Sequence, residues 1–419
     1  MTATPAERLV RALEDEIDAA VALRRALHRD PRLGGQEEDS RDAVAAALGA
    51  DLEAVAGTGG MLRCGPAGRA VAVRAELDAL PVVEQTGLPF SAEGPAAHVC
   101  GHDVHVAALV ALVRAVRAVG DDALPAPLLA VFQPREEAAP SGAADVAVAP
   151  AFTAHAPAAM LGVHVQPELP RGVVSARPGA VNASSDEVEI VVHGRGGHGG
   201  YPHRTADPVL ALAAVVVALQ QVVSRRTNPL QAAVVTVGEL RAGSAPNVVP
   251  GSATARGTVR ALDADRDAVL AAVREVAEHT AAAHGCTAEV AVVPNEDAVV
   301  NDDDLAAEVA AALEATVGAG SPLPEGSGPS AVVDTTFRSC GADDFAHYGA
   351  VLPSLMLFVG ARDPDAAPGT APGLHHPGFS PDDAMVGEVA RALLTATVAA
   401  GHVLAAEHAP DPARQETDA

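Results

Sequence analysis

The sequence predicts an α/β protein, a largely parallel sheet sandwiched by helices, with a smaller ferredoxin-like α+β domain inserted in it. Three observations carry this. Short apolar runs alternate with longer helical patterns in both outer parts of the chain, as in a sheet buried on both faces. The middle instead shows alternating strand patterns in the order β-α-β-β-α-β. Hydrophobic residues are 49% of 419, enough for a sizeable core and two or three domains. Aromatics are 2%, with no Trp, so that core is Ala, Val and Leu.

Taken in order, residues 5–27 carry apolar positions at helical spacing. Residues 70–77 (AVAVRAEL) alternate and read as a strand. The run after CGHD, VHVAALVALVRAVRAVG, is an apolar helix ended by Gly120. Residues 128–132 (LLAVF), 160–165 (MLGVHV) and 355–359 (LMLFV) are short apolar runs expected as buried parallel strands. In the middle, 187–193 alternate and Asp207-Pro208 opens a helix running to Val223. Residues 230–240 and 252–262 are strand-like around a Gly/Ser/Pro/Asn turn, 263–284 are helical, and 287–293 form a last strand. The inserted domain is placed at 181–294, within a discontinuous domain made of 1–180 and 295–419. Residues 318–330 read as a loop, and the polar tail after His408 as disordered. The most apolar stretch, 209–223, reads as a buried helix too short to span a bilayer.

The formal charge is −26, and all 28 basic residues are Arg, since no Lys occurs. Such a chain is repelled by phosphate backbones and anionic lipid, so neither nucleic acid nor a membrane is expected as a partner. Cys64, Cys100, Cys286 and Cys340 are scattered, which is no disulfide framework and fits a reducing compartment. The acidic N-terminus has no apolar leader segment, and a cytoplasmic location is expected.

Several segments can do chemistry. In HVCGHD (98–103), Cys100 and His102 stand two apart across a Gly, so both can turn toward one borderline metal such as Zn. A buried free Cys beside surface histidines is the other reading. Glu136 and Glu137 follow the apolar run 128–132, at a strand end, where α/β catalytic groups collect. One could ligate a metal while the other holds a water, or both could be a solvated acidic pair. His164 is either a satisfied core residue or a ligand, and His375 either exposed or a ligand. Glu76 and Asp78 are like charges at one strand end that need a cation or a raised pKa. Together these segments favour a metal-dependent hydrolase.

The chain resembles the M20 metallopeptidase family in its amidohydrolase branch, which holds N-acyl-amino-acid, hippurate and auxin-conjugate hydrolases. The resemblance rests on LHRDPRLGGQE (27–37), RAELDALPVVEQTGLPF (74–90), HVCGHDVHVAAL (98–109), FQPREE (132–137), LGVHV (161–165), GRGGHGGYPHRTADPV (194–209), PNVVPGSATARGTVRA (246–261), GADDFAHY (341–348) and LHHPGF (374–379). It implies two divalent transition-metal ions (Zn, Mn, Co or Ni) on Cys100, His102, Glu137, His164 and His375. It also implies Glu136 as general base, Asp78 behind the ligands, and His198 of the inserted lid domain at the oxyanion. Asn247 and Arg260 would bind the substrate carboxylate. The implied partners are a small N-acyl amino acid and a second copy of the chain in a homodimer joined through the inserted domain.

Four departures stand out, the first being HRDPRLG (28–34) where the branch more commonly has HRHPELG. The branch usually has Asp where Glu76 stands and Glu where Asp343 stands, and AAPSGAADV lacks its usual Gly run after the acidic pair. The leading reading is a metal-dependent amidohydrolase of N-acyl amino acids. A dipeptidase or carboxypeptidase of the same clan would have Asp at Cys100 and His at Glu76. A non-catalytic metal-binding relative would have lost Glu136 or Glu137, and both are present.

Overall fold

The computed structural model describes residues 4–121, 123–316 and 332–406. The expected loop at 318–330 and the tail after His408 lie outside the described residues. Two compact units emerge: Met1–Gly179 with Val300–Phe337 and His347–Ala419, and Ala180–Val299 with Arg338–Ala346.

The first unit is built on an eight-stranded sheet flanked by helices. Its middle four strands, Leu128–Gln133, Ala70–Glu76, Pro157–Pro170 and Ser354–Arg362, are parallel neighbours. Antiparallel pairs appear only further out, where Gly59–Cys64 joins Leu128–Gln133 and Val173–Ser175 joins Ser354–Arg362. Side chains alternate across this sheet. Val71, Val73, Ala75, Leu128, Ala130, Phe132, Leu161, Val163, Val165, Leu355 and Leu357 form one apolar core with the helices Pro5–Arg29, His102–Val119 and Ala384–Ala406. The intervening set includes Arg74, Glu76, Gln133 and His164, all buried and polar. A buried sheet face bearing charge needs internal partners; Arg74 supplies them to Glu76 and Gln133, and His164 finds the Val165 carbonyl.

The helix after CGHD spans His102–Val119 and ends at Gly120, as its pattern predicts. The strand around MLGVHV is longer than its apolar run, Pro157–Pro170. The helix Glu38–Leu48 and the terminal helix Ala384–Ala406 were not anticipated, and the latter lies in the main core.

The second unit holds the antiparallel strands Ser185–His193, Ala233–Ala242, Ser252–Ala261 and Thr287–Glu296 with the helices Pro208–Gln221 and Arg266–Ala283. Asp207 caps the first helix, accepting from Val209 N and Leu210 N, and Pro208 fits its first turn. In space the strands run Ala233–Ala242, Ser252–Ala261, Ser185–His193, Thr287–Glu296, the strand order of a ferredoxin-like sheet.

One expectation needs correction. The helix Pro208–Gln221 is buried on one side only. Ala211, Leu212, Val215 and Leu219 enter the core, while Leu210 is 58% and Val217 74% exposed. Nor is it too short to cross a membrane: with the π turn that follows, Pro208–Arg226 is long and apolar enough. A helix apolar all round reads as buried, but a single sheet can cover only one of its faces.

Candidate metal centre

Five proposed ligands and the proposed base belong to the first unit and come from four separate segments. Cys100 and His102 flank Gly101, which caps the helix His102–Val119 in a left-handed conformation (φ 88°). A Cβ on Gly101 would stand 2.4 Å from Val165 Cγ2, so only Gly lets this turn lie against the strand that carries His164. His164 donates from Nδ1 to the Val165 carbonyl (2.7 Å), which leaves Nε2 3.3 Å from Cys100 Sγ. His102 donates from Nδ1 to the Asp78 carbonyl (2.9 Å). Its Nε2 is buried without a hydrogen-bond partner, 3.7 Å from Glu136 Oε2. His375 has φ 65° and binds the Val99 carbonyl through its backbone N (2.8 Å); its Nε2 lies 3.0 Å from Glu137 Oε1.

Ligand atoms of three overlapping groups lie within 4.8 Å of one another: Cys100, His102 and His164; Cys100, Glu137 and His375; His102, Glu136 and Glu137. Thiolate, imidazole and carboxylate suit a borderline transition metal. His102 and His164 have their Nδ1 engaged by carbonyls, an arrangement that orients Nε2 toward an ion. The orphaned His102 Nε2 fits the same role. Asp78 accepts from Glu137 N (2.8 Å) and receives His102 at its carbonyl, so one residue orients two of the candidate ligands.

Carboxylates and imidazoles set the electrostatics of the cluster. Burial opposes charge on His102, yet Glu76, Asp78 and Glu137 outweigh it and push its pKa up to about 10. Burial, followed by the carboxylates of Glu137, Glu136 and Glu76, pushes the Cys100 thiol well up. Burial works against the Glu137 carboxylate, but His375 and His102 hold it below the usual range.

Sequence reasoning flagged Glu76 as needing a cation or a raised pKa; the cation is Arg74, with His105 beside it, and the layer around them was missed. Glu76 is fully buried against Arg74 and against His105, whose Nδ1 is 2.9 Å away. Val165 N donates to His105 Nε2 (3.0 Å), so the His105 proton sits on Nδ1 and is given to Glu76. His105 stands one turn from His102 on the same helix face, a spacing that could have flagged it. Gln133 Oε1 accepts from Arg74 Nε and Tyr348 Oη, both at 3.0 Å. Asp103 accepts from Arg24 Nε (2.7 Å) and His28 Nδ1 (2.8 Å), which anchors the first turn of the His102 helix. No periodicity announces these last pairs, which join residues 75 to 79 positions apart.

The remaining candidates lie in the second unit. His198 pairs with Val248 in a two-stranded ribbon and is exposed. Gly200 N donates to His198 Nδ1 (2.9 Å), so its Nε2 carries the proton outward. Asn247 takes Gly199 N on its carbonyl (2.8 Å), beside His198. Arg260 lies on Ser252–Ala261 and donates to the Cys340 carbonyl (3.0 Å).

This fold, with a sulfur-, imidazole- and carboxylate-lined cluster at the strand ends, defines a metal-dependent hydrolase of the α/β type. The family model described as Peptidase family M20/M25/M40 matches residues 72–396. An N-acetyldiaminopimelate deacetylase of Exiguobacterium sibiricum is 33% identical over 323 residues, 75% of this chain and 79% of its own. An N-acetylcysteine deacetylase of Bacillus subtilis is 32% identical over 372 residues, 87% of this chain and 92% of its own. The Bacillus subtilis YXEP protein, described as a dinuclear metal-binding peptidase of the M20 family, superposes with a TM-score of 0.75 at 27% identity, covering 93% of this chain and 99% of that one. The chain belongs to the M20/M25/M40 peptidase family.

Proposed function

We propose that this protein is a metal-dependent amidohydrolase that cleaves the amide bond of N-acyl amino acids, with Glu136 as general base. The observation that carries the reading is the convergence of Cys100, His102, Glu137, His164 and His375 in overlapping groups, with Glu136 sharing one of them with His102 and Glu137. Five ligands from overlapping groups exceed the four of a closed structural site and suit two adjacent ions. Held by these residues, two divalent ions would supply Lewis acidity toward an amide carbonyl and would lower the pKa of a water. Glu136, near His102 Nε2 and only partly buried, is placed to accept that water's proton and pass it to the leaving amine, a role worth typically about 10²–10⁴-fold. Glu137 is fixed by Asp78 at its backbone and by His375 at its carboxylate, which suits a ligand and not a proton shuttle.

The first unit is then the catalytic domain and the second a lid and dimerisation domain. His198, with its Nε2–H directed outward, would serve the oxyanion on closure, and Asn247 and Arg260 would orient the substrate carboxylate. The exposed apolar side of Pro208–Gln221 and the neighbouring sheet edge Ala233–Ala242 favour a homodimer through this domain. A cytoplasmic location goes with the reading. The deacetylase relatives favour small acyl groups, acetyl first. The test is release of free amine from a panel of N-acetyl and N-benzoyl amino acids by protein reconstituted with Mn or Zn. Turnover of none of them, with unblocked dipeptides cleaved instead, would overturn it in favour of a dipeptidase.

A further inference from the structure

Arg135, immediately before the proposed base, holds a left-handed backbone at φ 55°. An L residue other than Gly or Asn adopts that region only when its surroundings hold it there. Here the surroundings are identifiable. Glu37 is fully buried, and its Oε1 accepts from the Arg135 backbone N at 2.8 Å. Its other oxygen accepts from Thr58 Oγ1 at 2.5 Å, and Thr58 is itself buried. On the far side, Gly142 N donates to the Arg135 carbonyl at 3.0 Å. A Cβ on Gly142 would lie 1.7 Å from the Pro134 carbonyl oxygen. Gly34, three residues before Glu37, comes so near that a Cβ would meet Ala138 Cβ at 2.7 Å. The turn is gripped just past the base as well, where Asp78 takes Glu137 N.

We propose that Glu37 is a positioning residue: through Thr58 and the Arg135 amide it locks the left-handed turn that aims Glu136. This rests on the reading of Glu136 as general base. Glu37 belongs to none of the candidate metal groups among the described residues, so its carboxylate acts on the reaction only through the backbone it holds. A peptide N–H needs a fixed acceptor to stay in an unfavourable conformation, and a carboxylate tethered at its second oxygen is a strong one. With that acceptor weakened, the peptide relaxes toward ordinary φ and swings the next side chain. Misplacement of a catalytic group by about an ångström can cost roughly 10²-fold.

The test uses the metal-loaded enzyme and reads kcat, KM and metal content together. Glu37→Gln keeps one acceptor oxygen but cannot accept from both Thr58 and Arg135. It is expected to lower kcat by about 10-fold or more, with KM and metal content within about twofold of wild type. Thr58→Val, which frees the second oxygen, is expected to lower kcat in the same direction by less. Adding Arg135→Asn, which tolerates the left-handed region, should recover part of the kcat lost in Glu37→Gln. A merely structural role for Glu37 would give no such rescue. Unchanged kcat in Glu37→Gln, or loss of metal in proportion to activity, would overturn the proposal. If Glu37→Gln fails to fold, Thr58→Val decides alone, and an unchanged kcat there would overturn it. Glu136→Gln is measured beside them: full activity in that variant refutes the base itself, whereas an inactive Glu136→Gln with an unaffected Glu37→Gln refutes only the positioning.

Discussion

Glu136 and Glu137 are neighbours with opposite surroundings, and that contrast divides their expected behaviour. Glu137 has fixed partners at its backbone N and at its carboxylate, while Glu136 faces His102 Nε2 across 3.7 Å. Glu136→Gln should keep its metal and lose at least about 10²-fold in kcat, since proton transfer alone is removed. Glu137→Gln should lose metal first. Metal analysis beside single-turnover kinetics separates the two, and the reverse pattern would mean that base and ligand are exchanged. A second expectation concerns protons. Without an ion, the Cys100 thiol is pushed well up and His102 up to about 10, so both hold protons at neutral pH. An ion binds only the deprotonated forms. Metal affinity should therefore rise with pH through the neutral range and fall in acid, and loading near pH 7 should release protons. Zinc titration calorimetry in buffers of different ionisation enthalpy measures that release. An uptake enthalpy independent of buffer would contradict the assignment of these two ligands.

At the scale of elements, the site depends on where chain turns meet strand ends. Gly101 is the sharpest case: it combines φ 88° with a Cβ position 2.4 Å from Val165. Gly101→Ala should destabilise the metal-free protein by about 1–3 kcal/mol and weaken metal binding, because Cys100 and His102 must part to admit a methyl. Denaturant unfolding and a metal competition assay check both, and wild-type metal affinity in that variant would show the turn to be pliable. The same elements show what a sequence can disclose. The apolar strands 128–132 and 355–359 were readable because both faces of the sheet are buried and every residue is hydrophobic. Where the buried face turns polar, at Arg74, Glu76 and Gln133, the pattern is silent, since pairing across strands decides what is tolerated there. Cys100, His102, Glu136 and Glu137 stood out by motif. Glu37 and His28 lay in the motif stretch 27–37 without a role, and Arg24 in no motif, because their partners lie far along the chain. The helix Pro208–Gln221 misled for the converse reason: its exposed face is as apolar as its buried one.

For the whole molecule, that exposed face carries the prediction of assembly. Leu210 and Val217 are hydrophobic and exposed, and in the same unit the strand Ala233–Ala242 has a partner on one side only among the described residues. Light scattering at micromolar concentration should give twice the chain's 42.0 kDa, and Leu210→Glu with Val217→Glu should halve it. A single-chain mass for the wild type would reject the dimer. If sites are completed across the interface, mixing inactive His198→Ala with inactive Glu136→Gln should restore up to about a quarter of wild-type activity after random subunit exchange. No recovery after verified exchange would place His198 in its own chain's site or outside the reaction.

The strand order of the large sheet also sets a timetable for synthesis. Pro157–Pro170 finds its second neighbour in Ser354–Arg362, and His375 lies beyond that strand. At about 5–20 residues per second, a ribosome needs roughly 10–40 s to bridge that gap. During this interval the nascent protein presents an open, apolar strand edge, with the second unit emerging as one nearly continuous piece in the meantime. His375 follows the other four proposed ligands in the chain, so the proposed centre cannot be completed before Ser354–Arg362 has been made. The unpaired edge of Pro157–Pro170 is thus a surface that would need shielding during synthesis, and the proposed centre could form only after Ser354–Arg362 is available to close that edge.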